Sequence, residues 1–266
     1  VSWIPLIIRW HFLLKNCEMQ IPFRKSIIVY LSGSALQITP GQIGELIKAQ
    51  ILKNLFNIPR TKSAPIILVE KVYDLIGAII ASIIGIIILE LEIYLILFAI
   101  LVLALIFFFM YYKPAFELFL GKISKTKFFS KYTENISESY EIIKKVTTPK
   151  VAIRSIFLSI TYWFIVSTAV YYTLLAFGLD ILNYLMVLSI FTTSTILGAI
   201  TFIPGGIGVT EGTIAGLFVL EGIHMSTALV LSVLIRIVTL WYNVGIGFIA
   251  LKLSNGFSFK KDFPKE

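Results

Sequence analysis

Long apolar runs dominate the chain, and short polar segments separate them. A helix that crosses a bilayer needs about 20 mainly apolar residues. The runs that reach this length are residues 63–89, 91–112, 151–177, 183–202 and 225–253. Residues 3–14 have the pattern of the end of another span, so we expect further residues before Val1. The pattern predicts a polytopic bundle of membrane helices.

Other apolar runs are too short to cross a bilayer and flank Pro-Gly sequences. Residues 26–38 and 43–56 lie on either side of Pro40 and Gly41, and residues 209–220 follow Pro204-Gly205-Gly206. Proline removes a helical hydrogen bond, and glycine permits a sharp reversal of the backbone. These segments therefore predict broken, re-entrant helical hairpins. Lipid tolerates such backbone only where it is buried in protein or lines a cavity.

The composition agrees with the pattern. Of 266 residues, 58% are hydrophobic and 14% are charged, and the mean hydropathy is +0.91. Globular domains have roughly 25% charged residues, so the composition excludes a soluble enzyme fold. One cysteine, Cys17, cannot form an internal disulfide, and the two histidines, His11 and His224, are far apart. We therefore expect no metal site and no cofactor.

Basic residues are distributed unevenly between the connectors. Lysine and arginine occur at positions 15–25, at 53–62, in the segment 113–150 with its eight lysines, and in the tail from Lys252. The connectors at 90–92, 180 and 221–224 have neither residue. Cytoplasmic loops collect lysine and arginine, which accounts for the net charge of +8 without a nucleic-acid partner. The sequence predicts a multi-pass protein of the cell membrane with its basic loops and C-terminus in the cytoplasm.

This orientation is consistent only if each broken segment returns to the side from which it enters. The segment 113–150 would then be cytoplasmic. The spacing of Ile136, Tyr140 and Ile143 suits amphipathic helices on the inner leaflet, and a solvated linker is the alternative.

The two Pro-Gly sequences belong to an internal repeat. Residues 38–44 and 202–208 share the motif Pro-Gly-x-Ile-Gly, and a half-length helix, a short turn and a long span follow each of them. Lys71 lies 31 residues after Pro40, and Arg236 lies 32 after Pro204. Inverted repeats with discontinuous helices are typical of alternating-access transporters. We predict an all-α, single transmembrane domain over residues 1–266, with inverted repeats at about 24–112 and 151–253 joined by the basic segment 113–150.

Charged side chains within the apolar segments are the candidate functional residues, because burying a charge in a bilayer is costly. The ends of broken helices and nearby cations form a natural phosphate site. The predicted phosphate-binding residues are Lys48, Lys71, Arg236, Gly41, Gly44, Gly205, Gly206 and Gly208. Their predicted charge partners are Glu45, Glu70, Asp74 and Glu211. The alternative is that the pairs Glu211–Arg236 and Glu45–Lys71 only stabilise the hairpins.

Small polar residues form two runs within apolar segments, at 32–34 and at 192–195. We expect them to allow close helix packing and hydrogen bonds between helices, rather than nucleophilic catalysis.

Four sequence motifs resemble a known family. They are Arg9-Trp10-His-Phe-Leu-Leu, Ile38-Thr-Pro-Gly-Gln-Ile-Gly-Glu-Leu-Ile-Lys, Glu70-Lys-Val-Tyr-Asp and Phe202-Ile-Pro-Gly-Gly-Ile-Gly-Val-Thr-Glu. Together they resemble the lysylphosphatidylglycerol synthase transmembrane family, also called flippase-like domain proteins. The resemblance implies a module that moves a phospholipid or a polyprenyl-linked headgroup between leaflets. In the best-known members this module is fused to a cytosolic aminoacyl transferase that uses charged tRNA. No polar domain follows Pro264 here, so we expect no enzyme activity.

The preferred function is therefore a lipid flippase or translocase. Its substrate would be a modified phospholipid or a polyprenyl-phosphate-linked headgroup. One alternative is a membrane-embedded transferase, with Glu70 and Asp74 as its candidate carboxylates. Another is a membrane subunit that docks a separate lipid-modifying or glycosyl transferase through the segment 113–150. The partners that these functions allow are membrane lipids, a cytosolic or membrane transferase and a second copy of the chain.

Overall fold

A computed structural model describes residues 2–88 and 136–255, together with residues 101, 102, 104, 105, 108 and 114. Almost all of the predicted span 91–112, the connector at 90–92, most of the segment 113–150 and the tail beyond Asn255 lie outside the described residues. Every regular element within the described ranges is helical, which confirms the predicted all-α class.

The first group of helices contains α1 (Trp3–Asn16), α2 (Phe23–Ser34), α3 (Ile47–Phe56) and α4 (Arg60–Ile88). The second contains α5 (Ile136–Val146), α6 (Pro149–Ala176), α7 (Tyr184–Ile200), α8 (Val209–Leu220), α9 (Met225–Arg236) and α10 (Tyr242–Ser254). A tight 3-10 turn at Pro40–Leu46 precedes α3, and another at Pro204–Gly206 precedes α8. We call them the first and the second Pro-Gly turn. A π-helical turn at Ile237–Trp241 joins α9 to α10.

Two of the described helical segments are long and apolar enough to cross a membrane. They are Pro149–Ala176 and Met225–Ser254, and they match the predicted runs 151–177 and 225–253 to within two residues. The run 183–202 forms the shorter helix α7, and α4 begins three residues before the predicted run 63–89. The difference at α4 arises because Arg60 and Lys62 are polar enough to end a hydropathy pattern but still form helix.

The helices break at both Pro-Gly sequences, as predicted. Gly41 has a φ of 58° and Gly205 a φ of 62°, a left-handed conformation that glycine adopts without a steric penalty. The half-helices are shorter than their apolar runs: α2 ends at Ser34 rather than at Ile38, and α3 begins at Ile47 rather than at Ile43. Ala35 and Leu46, which lie just beyond these helix ends, are apolar and buried although they are not part of α2 or α3, so hydropathy alone did not mark the helix ends.

Helix α4 connects two apolar cores. Its first half, with Ile66 and Tyr73, packs in a core with α1, α2, α3 and α5. Farther along the same helix, Ala78 and Ala81 pack in a second core with residues of α6 to α9. The charged residues Glu70, Lys71 and Asp74 therefore lie near the boundary between the two cores.

Helix α5 is amphipathic, but its apolar face packs against protein. Ile142, Ile143 and Val146 are buried in the first core. The Tyr73 hydroxyl of α4 donates a hydrogen bond of 2.8 Å to the carbonyl of Val146. Residues 136–146 are therefore packed against protein rather than solvated, while most of the segment 113–150 lies outside the described residues. An amphipathic pattern shows that a face must be covered, and only the fold shows what covers it.

Small and polar residues allow close contacts between helices. The Ser82 and Thr193 hydroxyls of α4 and α7 lie 2.6 Å apart, which confirms the expected hydrogen bond between helices. On α2, a Cβ atom at Gly33 would lie 2.8 Å from Cδ of Lys48. The missing side chain at Gly33 thus leaves room for the stem of a buried lysine.

Candidate functional site

Six charged side chains form a closed ring in which positive and negative groups alternate. They come from α1, the first Pro-Gly turn, α3 and α4, and in order they are Arg9, Glu70, Lys48, Glu45, Lys71 and Asp74. We call this arrangement the charge ring. With three cations and three anions it has no net charge.

Short contacts join the buried side of the charge ring. Arg9 Nη1 lies 2.7 Å from Asp74 Oδ1, and Arg9 Nη2 lies 3.4 Å from Glu70 Oε1. Lys48 Nζ lies 2.7 Å from Glu70 Oε2 and 2.9 Å from Glu45 Oε2. Lys71 Nζ bonds Glu45 Oε1 but lies 3.9 Å from Asp74 Oδ2. The contact between Lys71 and Asp74 is therefore the longest in the ring.

The interior members of the ring are shielded from solvent. The side chains of Arg9 and Lys48 are 0% exposed, and that of Glu70 is 1% exposed. Lys48 Nζ also lies 4.9 Å from the ring centre of Trp10 and 5.1 Å from that of Tyr30, distances at which a cation is attracted to an aromatic face. A buried charge is destabilising unless it is paired, so each interior member depends on its neighbours in the ring.

Arg9 is a ring member that the sequence-based list of candidates missed. It bonds Asp74, Glu70 and the Ser159 hydroxyl of α6, the last at 2.5 Å. A signal for it was present, because Arg9 follows Ile7 and Ile8 within an apolar run and a charge in such a run is a functional candidate. The run was interpreted as the end of a span, where an arginine reaches water easily.

A separate ion pair follows the second Pro-Gly turn. Arg236 Nε lies 2.8 Å from Glu211 Oε1, and Arg236 Nη2 donates to the carbonyl of Gly205. The other oxygen of Glu211 accepts a hydrogen bond of 2.7 Å from the backbone N–H of Gly208. Glu211 is the third residue of α8, so its carboxylate lies at the positive end of the helix dipole. A carboxylate thus occupies the kind of position that suits a phosphate.

The π-helical turn lies directly after Arg236. Arg236 and Asn243, one on each side of this turn, both lie on the wall of the same cavity. Asn243 Oδ1 accepts a hydrogen bond of 2.9 Å from Trp3 Nε1, which ties α10 to α1. Single π turns inside α-helices occur frequently at functional sites.

A cavity of about 360 Å³ lies between the two Pro-Gly turns. The turns contact each other, and a Cβ atom at Gly41 would lie 3.1 Å from the ring of Phe202, just before the second turn. Among the described residues, the charged side chains on the cavity wall are Lys71, Arg236, Glu45 and Asp74. Other parts of the wall are aromatic or apolar and include Tyr162, Trp163 and Phe191. The cavity thus combines a neutral set of charges with an apolar surface.

The predicted site residues divide into those on the wall of the cavity and those near it. On the wall are Lys71, Arg236, Glu45, Asp74, Gly41, Gly205 and Gly206. Lys48 and Glu70 lie in the buried part of the charge ring, and Gly44, Gly208 and Glu211 lie in or beside the Pro-Gly turns that begin at Pro40 and Pro204. The pairs Glu45–Lys71 and Glu211–Arg236 form, but phosphate binding by these residues stays a prediction.

Other candidate chemistry is scarce in the part of the chain that the structure describes. No group of three or more histidine, cysteine, aspartate or glutamate side chains there is arranged to hold a metal ion. Gln42 is a cavity residue that the sequence-based list missed. Its Oε1 accepts a hydrogen bond of 2.8 Å from Lys71 Nζ.

Comparisons with known proteins agree with the motifs. The model for the family described as lysylphosphatidylglycerol synthase TM region matches residues 1–247. Two UPF0104 membrane proteins of Methanothermobacter thermautotrophicus are similar to part of the chain. One is 28% identical over 94 residues, which are 35% of this chain and 28% of that protein. The other is 30% identical over 92 residues, which are 35% of this chain and 27% of that protein. The matched segment thus spans little more than a quarter of either relative, and no solved structure matches the chain.

Proposed function

The chain belongs to the lysylphosphatidylglycerol synthase TM-region family of membrane proteins, and from this premise we propose that it moves a phosphate-bearing lipid between the leaflets of the cell membrane. The observation that carries the proposal is the cavity between the two broken helices, with Lys71 and Arg236 on its wall. Each of these cations is paired with a carboxylate that a substrate phosphate would displace.

Arg236 is the best-placed phosphate ligand. Its guanidinium group presents several N–H donors in one plane, which suits two-point contact with phosphate oxygens. In the structure, the Glu211 carboxylate and the Gly205 carbonyl accept hydrogen bonds from it. A phosphate that replaces Glu211 would also lie near the N-terminus of α8, where the helix dipole favours a negative charge.

The size of the cavity suits a headgroup rather than a whole lipid. Its volume of about 360 Å³ is near the lower end of the roughly 300–1,000 Å³ range of small-molecule pockets. We therefore place the headgroup between the Pro-Gly turns and the acyl chains in the surrounding bilayer. This division keeps the charged part of the lipid out of the hydrocarbon while it crosses.

Movement across the membrane requires that the cavity open alternately to each side. We propose that residues 24–112 and 151–253 are inverted repeats whose re-entrant hairpins meet at the two Pro-Gly turns. The contact between the turns and the similar positions of the pairs Glu45–Lys71 and Glu211–Arg236 support this relation. Rocking of one repeat against the other would expose the cavity first to one leaflet and then to the other.

The orientation of the chain can be tested with single cysteines. In a Cys17→Ser background, Lys53→Cys and Lys150→Cys should react with a membrane-impermeant maleimide only from the cytoplasmic side, because basic segments stay inside. Asp180→Cys and His224→Cys should react from the outside. All four positions are exposed. Reaction of positions 53 and 224 from the same side would contradict the inverted repeats.

The native cysteine should add little to this labelling. Burial raises the pKa of the Cys17 thiol to about 11, so little reactive thiolate is present near neutral pH. Replacing Cys17 removes the remaining background.

Reconstitution tests the proposed function directly. Purified chain in vesicles that contain phospholipids with fluorescent acyl chains should make the inner-leaflet lipid accessible to an external quencher faster than in protein-free vesicles. Chemical conversion of the lipid would instead support the transferase alternative. If the chain neither moves nor converts the lipid until a synthase is added, the result would support the alternative of a docking subunit. A Lys53→Gln variant, altered at an exposed position outside the cavity, should behave like the unchanged chain.

A further inference from the structure

The charge ring has one incomplete position, and that position faces the cavity. Of the six carboxylate oxygens in the ring, five lie within 3.4 Å of a cationic nitrogen. The sixth, Asp74 Oδ2, is 3.9 Å from Lys71 Nζ, which is too long for a hydrogen bond. Lys71 and Asp74 are also the ring members with the most exposed side chains, 30% and 20%.

The charge balance of the cavity limits what it can bind. The described charged residues on its wall are two cations, Lys71 and Arg236, and two anions, Glu45 and Asp74. A singly charged anion would leave this neutral site with a net negative charge, and a charge without an opposite partner costs free energy where protein partly excludes water. A ligand that has one positive and one negative group leaves the balance unchanged.

The position of the unsatisfied oxygen indicates where the positive group would bind. Arg9 holds Asp74, a residue of the cavity wall, through Oδ1, which leaves Oδ2 as the ring oxygen without a hydrogen bond to a cation. Both oxygens of Glu45 are already bonded to lysines. An ammonium group would therefore find its acceptor at Asp74, while an adjacent phosphate would accept from Lys71. Such a ligand would place its negative group beside Lys71 and its positive group beside Asp74, so opposite charges would still alternate where these two side chains are 3.9 Å apart.

We propose that the lipid recognised by this cavity has a zwitterionic headgroup, with its phosphate at Lys71 and its ammonium group at Asp74. This inference rests on the proposed function, because it names the class of lipid that would be moved. Arg236, also on the cavity wall, would contact the same phosphate.

Soluble headgroups test the inference without any lipid movement. Glycerophosphoethanolamine and glycerophosphoglycerol have the same phosphodiester, but only the first has an ammonium group. In calorimetric titrations of the purified chain in detergent, we expect the first to bind about ten-fold more tightly, the size of effect that one hydrogen bond to a charged group supplies. Equal binding of both compounds, tighter binding of glycerophosphoglycerol or no binding of either would overturn the inference.

Two substitutions locate the preference. Asp74→Asn keeps the shape but removes the negative charge, so the ten-fold preference should disappear while binding of glycerophosphoglycerol becomes tighter. Lys71→Gln should weaken the binding of both compounds. A purely structural role for Asp74 would weaken both compounds without changing their ratio. Glu18→Gln, at a side chain that is 83% exposed, is the matched control and should keep the preference. If Asp74→Asn does not fold, the relative binding of the two compounds to the unchanged chain still tests whether the cavity prefers a zwitterionic headgroup.

The lipid assay separates this inference from the proposed function. Lipid movement without a preference for glycerophosphoethanolamine would leave the function intact and overturn the zwitterionic site. Preferential binding of glycerophosphoethanolamine without lipid movement would support the zwitterionic site and contradict the function.

Discussion

Replacing Gly247 by alanine should lower the stability of the protein by about 3 kcal/mol or more, at the upper end of the cost of overpacking. A Cβ atom at position 247 would lie 2.2 Å from the backbone nitrogen of Ala35 and 2.6 Å from the carbonyl carbon of Ser34. These are backbone atoms at the end of α2, so no side chain can rotate away. The clash is relieved only if α2 and α10 move apart, which also disturbs the first Pro-Gly turn. Thermal unfolding in detergent should show a fall in Tm of roughly 6–12 °C, at about 2–4 °C per kcal/mol for a chain of this size.

Gly245 provides the matched control for this prediction. It lies on the same helix, two residues earlier, and a Cβ atom there would meet nothing within 4 Å. Gly245→Ala should leave the Tm unchanged or raise it slightly, because alanine favours the helix by up to about 1 kcal/mol. Equal Tm values for the two variants would show that the close crossing of α2 and α10 does not exist.

Substitution of Arg236 should reduce the rate of lipid movement more than any other change considered. Arg236→Lys keeps the positive charge but loses the planar, two-point geometry, so we expect the rate of lipid movement to fall about ten-fold or more while the Tm stays close to that of the unchanged chain. Arg236→Gln should reduce movement further and leave the Glu211 carboxylate without its cation. Arg154→Lys is the matched control, because Arg154 is exposed on α6 and does not line the cavity.

The double variant Arg236→Gln with Glu211→Gln separates binding from scaffolding. If the pair only stabilises the second Pro-Gly turn, removing both charges should restore stability and lipid movement together. If Arg236 binds phosphate, the double variant should regain stability but not movement. Full lipid movement with neither charge present would show that Arg236 is structural and that the proposed phosphate site is wrong.

Much of the candidate site could be predicted from local sequence features. The helix breaks at Gly41 and Gly205 follow from the backbone preferences of proline and glycine, and both occur where predicted. The partners Glu45–Lys71 and Glu211–Arg236 were predicted from charges in apolar segments, since a buried charge must find an opposite one. Each pair joins a Pro-Gly segment to the long helix that follows it, over separations of 26 and 25 residues.

The misses share one cause, which is that they depend on distant parts of the chain. Arg9 completes the charge ring because α1 packs against α4 and α6, at separations of 61 residues from Glu70 and 150 residues from Ser159. The place of Lys48 was also not predicted: the fold puts it behind Glu45 and Glu70, away from the cavity wall, and phosphate binding by Lys48 stays a prediction. Similarly, the apolar face of α5 indicated burial without indicating that α4 would cover it.

Membrane residence, the helical class and the two Pro-Gly breaks are properties of short stretches of chain, so hydropathy and backbone chemistry were enough to establish them. The closed charge ring, the unsatisfied oxygen of Asp74 and the cavity between the Pro-Gly turns arise only when helices far apart in sequence pack together. A buried charge needs a partner of opposite charge, but the sequence alone does not identify which of several opposite charges that partner is. Tertiary packing selects among them, because it fixes which charges come within hydrogen-bonding distance and which one is left facing the cavity.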